Sequence, residues 1–312
     1  KQDKKESLGE LAKKLSGITY HNKLGTQHDR ALRVSKIHAY IDKKLNFNNK
    51  VDFVKLALAS KADLSSLMVG EFPELQGVMG SYYAKNDGEN NNFSEAIEDH
   101  YKPKFSGDLL PRNTIGIGLS LADKIETLVS LYSINEIPTG DKDPFALRRT
   151  AIGIIRILIE KNLSLNIIET IKQFYPSKNN FDELIIFIKD RLINFLRDQN
   201  FTAEEVDAVT CNLPNTFNTI LNKLHALRSF VDLDDSAFLA SSNKRVTNIL
   251  KKYEFDNDFQ IKELLLIEEV EKKLYKLLIS LGKEIKTDTQ NEKYIDALSK
   301  LIKLKTPIDN FF

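Results

Sequence analysis

The sequence predicts an all-helical protein, and three observations carry that expectation. Leu, Ile and Lys recur at helical spacing along almost the whole chain. Alternating Val/Ile/Thr/aromatic runs, the mark of strands, are scarce, and glycine and proline mark the breaks between periodic stretches. With 312 residues and 42% hydrophobic content, the chain is long enough to bury a sizeable core in one to three domains. Lys plus Arg total 45 against 44 for Asp plus Glu, so net charge makes no case for a nucleic-acid partner, and any such case must come from local patches.

Up to about residue 162 the helices are interrupted by segments bearing glycine or asparagine at 70–80, 86–92 and 107–118. Asp143-Pro144 reads as a helix start, an N-cap acid followed by proline at the first helical position, so Phe145 onward should be helical. On that helix Arg149 and Arg156 lie seven apart and nearly superpose; with Arg148 and Lys142 they make a short basic stripe suited to phosphate contacts. The plainer reading is a solvated face opposite Leu147, Ile154, Ile155 and Leu158, and it carries equal weight. The loop 175–180, with Pro176 and two adjacent asparagines, reads as a hinge and places a boundary within 161–180.

Beyond it, 181–196 forms a strongly apolar helix, Thr202 with Glu205 has capping-box spacing, and Phe217, Ile220, Leu221, Leu224 and Leu227 share a further helical face. The clearest helix spans 261–280, with Glu268/Lys272 and Glu269/Lys273 in the favourable acid-first order and Gly282 as its expected stop. Thr289 and Glu292 repeat the capping-box spacing before a last helix carried by Tyr294, Ile295, Leu298, Leu301 and Ile302 until Pro307. Lys244, Arg245, Lys251 and Lys252 cluster in an acid-free stretch, with Asn243 and Asn248 offering amides to base edges. The expected organisation is therefore 1–22 as a linker or helix from a preceding domain, 23–162 as one helical domain, 163–180 as a linker, and 181–312 as a helical bundle truncated at its C-terminal end.

No phosphate-cradling loop ending in Gly-Lys-Ser/Thr, paired-histidine zinc helix or serine nucleophile elbow is present. Gly116-Ile117-Gly118 lacks the third glycine and the preceding strand of a dinucleotide fingerprint and reads as packing glycines. The histidines, at 21, 28, 38, 100 and 225, have no zinc-ligand spacing, and the one local pair, His28-Asp29, reads as a surface feature. Asp63, Glu71, Glu74, His100 and Asp123 could converge on a metal in a helical fold, although such carboxylates more often face solvent or cap helices. Cys211 is the sole cysteine, which excludes an internal disulfide and fits a reducing, cytoplasmic compartment. No apolar run approaches the roughly 20 residues of a membrane span. The N-terminal Lys-Gln-Asp-Lys-Lys-Glu, without initiator Met or signal, reads as a cut inside a longer chain.

Residues 51–160 contain Lys61-Ala-Asp-Leu, Val69-Gly-Glu-Phe-Pro-Glu-Leu-Gln-Gly77, Ala122-Asp-Lys124 and Pro138-Thr-Gly-Asp-Lys-Asp-Pro-Phe-Ala-Leu-Arg-Arg149. In that order they resemble the bacterial glycyl-tRNA synthetase beta subunit family, and the resemblance continues through Asn243-Lys-Arg-Val-Thr-Asn-Ile-Leu250 to Lys305-Thr-Pro-Ile-Asp-Asn-Phe-Phe312. The resemblance implies about half of such a subunit: a tRNA-binding piece that works with a separate alpha subunit, in an alpha2beta2 enzyme. The alpha subunit would carry ATP, Mg and glycine activation, and this chain would bind no cofactor and hold no catalytic residue.

It also implies a degenerate HD-like helical domain followed by an anticodon-binding-type bundle. Where an intact HD domain shows His-Asp, this sequence has Lys61-Ala62-Asp63; an ammonium there should repel a dication, and Asp63 with Asp123 alone would make a poor metal site. Under this reading tRNA-Gly would meet Lys142, Arg148, Arg149 and Arg156 on its acceptor side. Asn243, Lys244, Arg245, Asn248 and Lys251 would meet its anticodon side. The competing readings are a metal-dependent HD phosphohydrolase and a helical scaffold that binds only protein.

Overall fold

The computed structural model describes residues 3–176, 179–233, 236–251, 261 and 263–312, and its fold is all-α. Among the described residues the strands are a two-stranded antiparallel hairpin, β1 Thr19–His21 and β2 Gly25–Thr26, with Thr19 opposite Thr26. The chain divides into two compact units, one of 1–200 with 212–218, the other of 201–211 with 219–312.

In the first unit α1 (Leu8–Lys13), α2 (Gln27–Lys44), α3 (Phe53–Ala62), α4 (Leu67–Glu71), α5 (Val78–Asn86) and α6 (Asn91–Asp99) precede the long α7 (Thr114–Ser133). Then come α8 (Leu147–Glu160), α9 (Ile167–Phe174) and α10 (Phe181–Asp198). Helix α7 is the axis: α2, α6, α8 and α10 all pack on it. Its sequence explains why, because Ile117, Leu119, Leu121, Ala122, Ile125, Leu128, Val129 and Leu131 cover most of its circumference and are all buried. A helix apolar nearly all round has to be surrounded, and each large side chain so buried contributes about 1.5–3 kcal/mol. Gly118 admits His38 of α2, since a Cβ there would lie 2.5 Å from His38 Nε2. Gly116 and Gly118 are thus packing glycines, as their sequence context suggests.

The N-terminal segment is part of this unit and not a linker: Ser7 caps α1, and Leu8, Leu11, Ala12 and Leu15 are buried. The expected division at 161–180 is likewise displaced. Leu184, Ile188, Leu192 and Leu196 bury one face of α10 against α7 and α8, and the Phe187 ring lies 5.4 Å from that of Tyr132. An apolar stripe joins whichever core covers it, so the chain leaves the first unit only after Asn200. Residues 177 and 178 of the expected hinge lie outside the described residues.

The second unit holds α11 (Ala203–Thr210), α12 (Ile220–Val231), α13 (Ser236–Leu250), α14 (Glu269–Gln290), α15 (Tyr294–Leu301) and α16 (Lys305–Phe311). The Thr202–Glu205 capping box forms as its spacing predicts. The helix expected over 261–280 is shifted. Ile261, Leu264, Leu265 and Ile267 are exposed, and α14 starts after Glu268, where the Glu271 carboxylate accepts the Ile267 and Glu268 N–H groups. Gly282 lies inside α14, beside the buried Leu281, and the helix runs on to Gln290. Thr289 is in the last turn of α14 and donates to the Ile285 carbonyl, while Glu292, at φ 58°, ends the helix instead of capping the next.

His38 is fully buried, neither ring nitrogen has a partner, and burial pulls its pKa down to about 3. An unfolded chain would bind a proton there below pH ~6.5 that the folded one refuses until about 3. The stability this neutral ring contributes is therefore present above pH ~6.5 and lost as pH falls toward 3, by up to ~1.4 kcal/mol per pH unit. In urea unfolding between pH 7 and 4.5, His38→Leu should lose less stability on acidification than the parent; equal losses would show that His38 does not titrate on unfolding.

Candidate functional site

The charged centre of the first unit is assembled from three helices and the end of a fourth. Lys61, at the end of α3, is a cation with almost no solvent access, and its Nζ lies 3.0 Å from Asp123 Oδ1 and 2.8 Å from His100 Nε2. It also lies 4.2 Å above the Tyr101 ring. Arg30 reaches in from α2, 3.1 Å from Asp123 and 2.9 Å from Glu126, and Arg33, one turn on, meets Glu126 at 2.8 Å. Lys124 turns the other way and donates to the His100 and Lys102 carbonyls and to Ser120 Oγ at 2.9–3.3 Å. Its stem lies against Gly153 of α8, where a Cβ would come within 2.8 Å of Lys124 Cε.

Burial opposes ionisation of Asp123, but Arg30 and Lys61 overcome it and hold the carboxyl well below the usual range. Burial lowers Lys61 to about 8 and Lys124 to about 7, with Asp123 working against the fall in both. Asp63 holds the backbone in place, since its Oδ2 accepts the Gly77 and Gly80 N–H groups at 2.7 and 3.0 Å and fixes the start of α5. Gly77 takes φ 83°, and a side chain there would also run into Tyr101.

These positions fit a metal badly. The donors that would ligate one, Asp123 and the His100 imidazole, are bonded to an ammonium, and Asp63 is turned to backbone amides. Glu71 and Glu74 are exposed, and among the described residues no group of three or more His, Cys, Asp or Glu side chains is arranged to hold an ion. The sequence places Lys61 beside the site as a repelling charge; the structure puts its Nζ within bonding distance of both would-be ligands. His28 and Asp29 form no site either, since Asp29 closes a capping box with Thr26 at the start of α2.

Above this centre a cleft of about 330 Å³ is lined by Tyr101, Lys104, Asp123, Lys124, Arg149 and Thr150, among others. A second cleft, of about 700 Å³, shares Pro103 and Arg149 with it and continues past Phe105, Ile152, Gly153 and Arg156. The basic stripe expected on α8 is present but unequal. Arg149 is exposed, with one long contact of 3.5 Å to the Lys104 carbonyl, and Lys142 is exposed. Arg148 donates to the Gly140 carbonyl; Arg156 is paired with Glu160 at 2.7 Å and donates to the Phe105 and Asp108 carbonyls. Helix α8 begins at Leu147, later than Asp143-Pro144 suggests, because Ala146 is left-handed. Asp143 still caps it, accepting from the Leu147 and Arg148 N–H groups.

In the second unit Asn243, Lys244, Arg245, Asn248 and Lys251 are all exposed. Lys244, Arg245 and Asn248 share a shallow depression with Ser241 and Ile249, and the Arg245 guanidinium stacks 4.4 Å from the centre of the Phe312 ring. Lys252 lies outside the described residues. Arg30, Arg33, Lys124 and Glu126 were not legible as site residues; the available signal was a carboxylate, Glu126, set within the apolar run of α7.

What fold and site define is a helical protein whose would-be metal position holds its own lysine beneath a basic cleft. Residues 1–211 match the family model described as glycyl-tRNA synthetase beta subunit. Over 316 residues the chain is 46% identical to the glycine–tRNA ligase beta subunit of Janthinobacterium sp. (strain Marseille), and over 319 residues 44% identical to that of Dechloromonas aromatica (strain RCB). Over 317 residues it is 43% identical to that of Delftia acidovorans (strain DSM 14801 / SPH-1). Each match covers 100% of this chain and 45% of the relative. The chain belongs to the glycyl-tRNA synthetase beta subunit family, aminoacyl-tRNA synthetase subunits, and spans a little under half the length of these curated relatives. No helix among the described residues is long and apolar enough to cross a membrane.

Asp123→Asn would leave Lys61 and Arg30 buried without their shared anion and should cost about 3–5 kcal/mol. Lys61→Met should cost less, because Arg30 still neutralises Asp123, and the double variant should lose less than the sum of the two. Urea unfolding of the three variants checks this; additive losses would mean that Lys61 and Asp123 do not act as a pair.

Proposed function

We propose that this chain is a tRNA-binding piece of the beta subunit of glycine–tRNA ligase. It supports ATP-dependent glycylation of tRNA-Gly in the cytoplasm, the chemistry being carried by a separate alpha subunit in an alpha2beta2 enzyme. ATP and Mg²⁺ would be used in that alpha subunit. The observation that carries the tRNA reading, beyond family membership, is the surface of α13: exposed Lys244 and Arg245 with Asn243 and Asn248 on a helix without an acid, and exposed Lys251 just past its end. Cations so placed attract phosphates, and the amides can bond base edges of an unpaired loop, where RNA sequence is most readable. On the acceptor side the contacts would fall to Arg149 and Lys142 first, since Arg148 and Arg156 already bond carbonyl oxygens. The HD-like domain would act as a binding body; hydrolysis of phosphate esters at a metal would need donors that Lys61 already takes.

A protein-binding scaffold is the second reading, and one observation favours it. A cleft of about 900 Å³ in the second unit is walled by apolar side chains, Leu227, Phe230, Leu274, Leu278, Ile308 and Phe311 among them. The experiment that separates the two is binding of the chain to tRNA-Gly and to a non-cognate tRNA across a salt series. Preference for tRNA-Gly is expected, and Lys244→Ala with Arg245→Ala should remove that preference and flatten the log–log salt slope by roughly 1–2. If neither tRNA binds even at low salt, the scaffold reading takes the place of this one.

A further inference from the structure

The paired clefts of the first unit are more specific than a basic patch. They meet at Arg149 and Pro103 and run along one side of α8. Their cations are of two kinds. Arg149 and Lys104 stand at the surface, able to meet an anion directly, whereas Lys124 lies in the wall with its donors satisfied by the His100 and Lys102 carbonyls and Ser120 Oγ and makes no contact of its own. Of the acids in the walls, Asp123 is compensated by Arg30 and Lys61, Glu160 is paired with Arg156, and Asp198 and the exposed Glu74 remain.

Phe105, in the wall of the larger cleft, has 61% of its surface exposed. Its backbone is nonetheless held, because Arg156 donates to its carbonyl and to that of Asp108, and the Asp108 carboxylate accepts the Lys104 N–H at 2.6 Å. An aromatic ring kept in water on a pinned loop loses little freedom when a flat partner stacks on it. Aromatic faces beside a cationic groove are what unpaired nucleic-acid strands bind, the bases stacking and the backbone following the charge. A duplex has its bases already stacked and offers a free face to such a ring only at its ends. The cleft volumes, about 330 and 700 Å³, lie within the range of small-ligand sites and suit a few nucleotides.

We propose that these clefts bind an unpaired stretch of RNA strand, with one base stacked on Phe105 and a phosphate held by Arg149 and Lys104. This rests on the tRNA-binding reading and narrows it: the RNA meets the first unit as single strand, and Arg156 is a positioning residue that holds the Phe105 loop.

The test is fluorescence anisotropy of the chain with a labelled single-stranded RNA tetramer, with the same sequence embedded in a longer, stably paired duplex, and with tRNA-Gly. The tetramer should bind at least about tenfold tighter than the duplex. Phe105→Ala should weaken tetramer binding about tenfold or more without changing its salt slope, since stacking is uncharged. Arg149→Gln should weaken it and flatten the slope by about 0.7, the share of one single-strand phosphate. Both side chains are exposed, so neither change should disturb folding, which circular dichroism would verify. Equal binding of duplex and tetramer, or tetramer binding indifferent to both substitutions, overturns the proposal. If tRNA-Gly binds and the tetramer does not, the cleft assignment fails alone; if no RNA binds, the tRNA reading fails with it.

Discussion

The first unit is organised around a buried ion cluster in which each charge is compensated by at least one opposite charge. Arg30 and Arg33 come from α2, Lys61 from α3, and Asp123 and Glu126 from α7, while His100 closes the set from the end of α6. Taking any one of these ions out of water alone costs several kcal/mol, which only an opposite charge beside it can offset. Their spacing therefore constrains the helices as firmly as apolar packing does. Rotating α3 would bury Lys61 away from Asp123, and sliding α2 by one turn would leave Glu126 buried and unpaired, states costlier than most losses of apolar contact.

The same cluster determines what chemistry the unit can support. A dication between Asp123 and His100 would hold water in an open coordination position and lower its pKa. An ammonium in that position has one charge and no vacant orbital, so it bonds the carboxylate and the imidazole but cannot coordinate a water as a metal would. What such a site keeps is shape. Arg149 stands exposed at the mouth of the cleft above it.

The helical class was legible because apolar periodicity is local, and the Thr202–Glu205 cap because it spans three residues. Lys61, Asp63 and Asp123 were legible as positions, but their roles were not. Whether an ammonium repels a cation or replaces one depends on Asp123 and His100, which are 62 and 39 residues away in sequence. The pairing of Arg30 with Glu126, 96 residues apart, has the same character. The misplaced start of α14 has a local cause instead. The apolar period runs unbroken from Ile261 into the helix, yet the Glu271 carboxylate captures the Ile267 and Glu268 amides and sets the first turn there. Periodicity measures which face could be buried; the competition for backbone donors determines where the helix begins.

Near-neutral total charge hides how unevenly that charge is distributed. In the first unit much of it is committed inward: Arg30, Lys61, Asp123 and Glu126 cancel one another in the core and contribute little to the surface potential. On α13 the cations are exposed on a helix that carries no carboxylate. Since a field acts over roughly a Debye length, about 8 Å at physiological salt, a distant or buried acid does not offset them. The balance of 45 basic against 44 acidic residues is therefore compatible with local patches strong enough to hold a polyanion. The charge that matters for binding is the part left over after the core has paired its own.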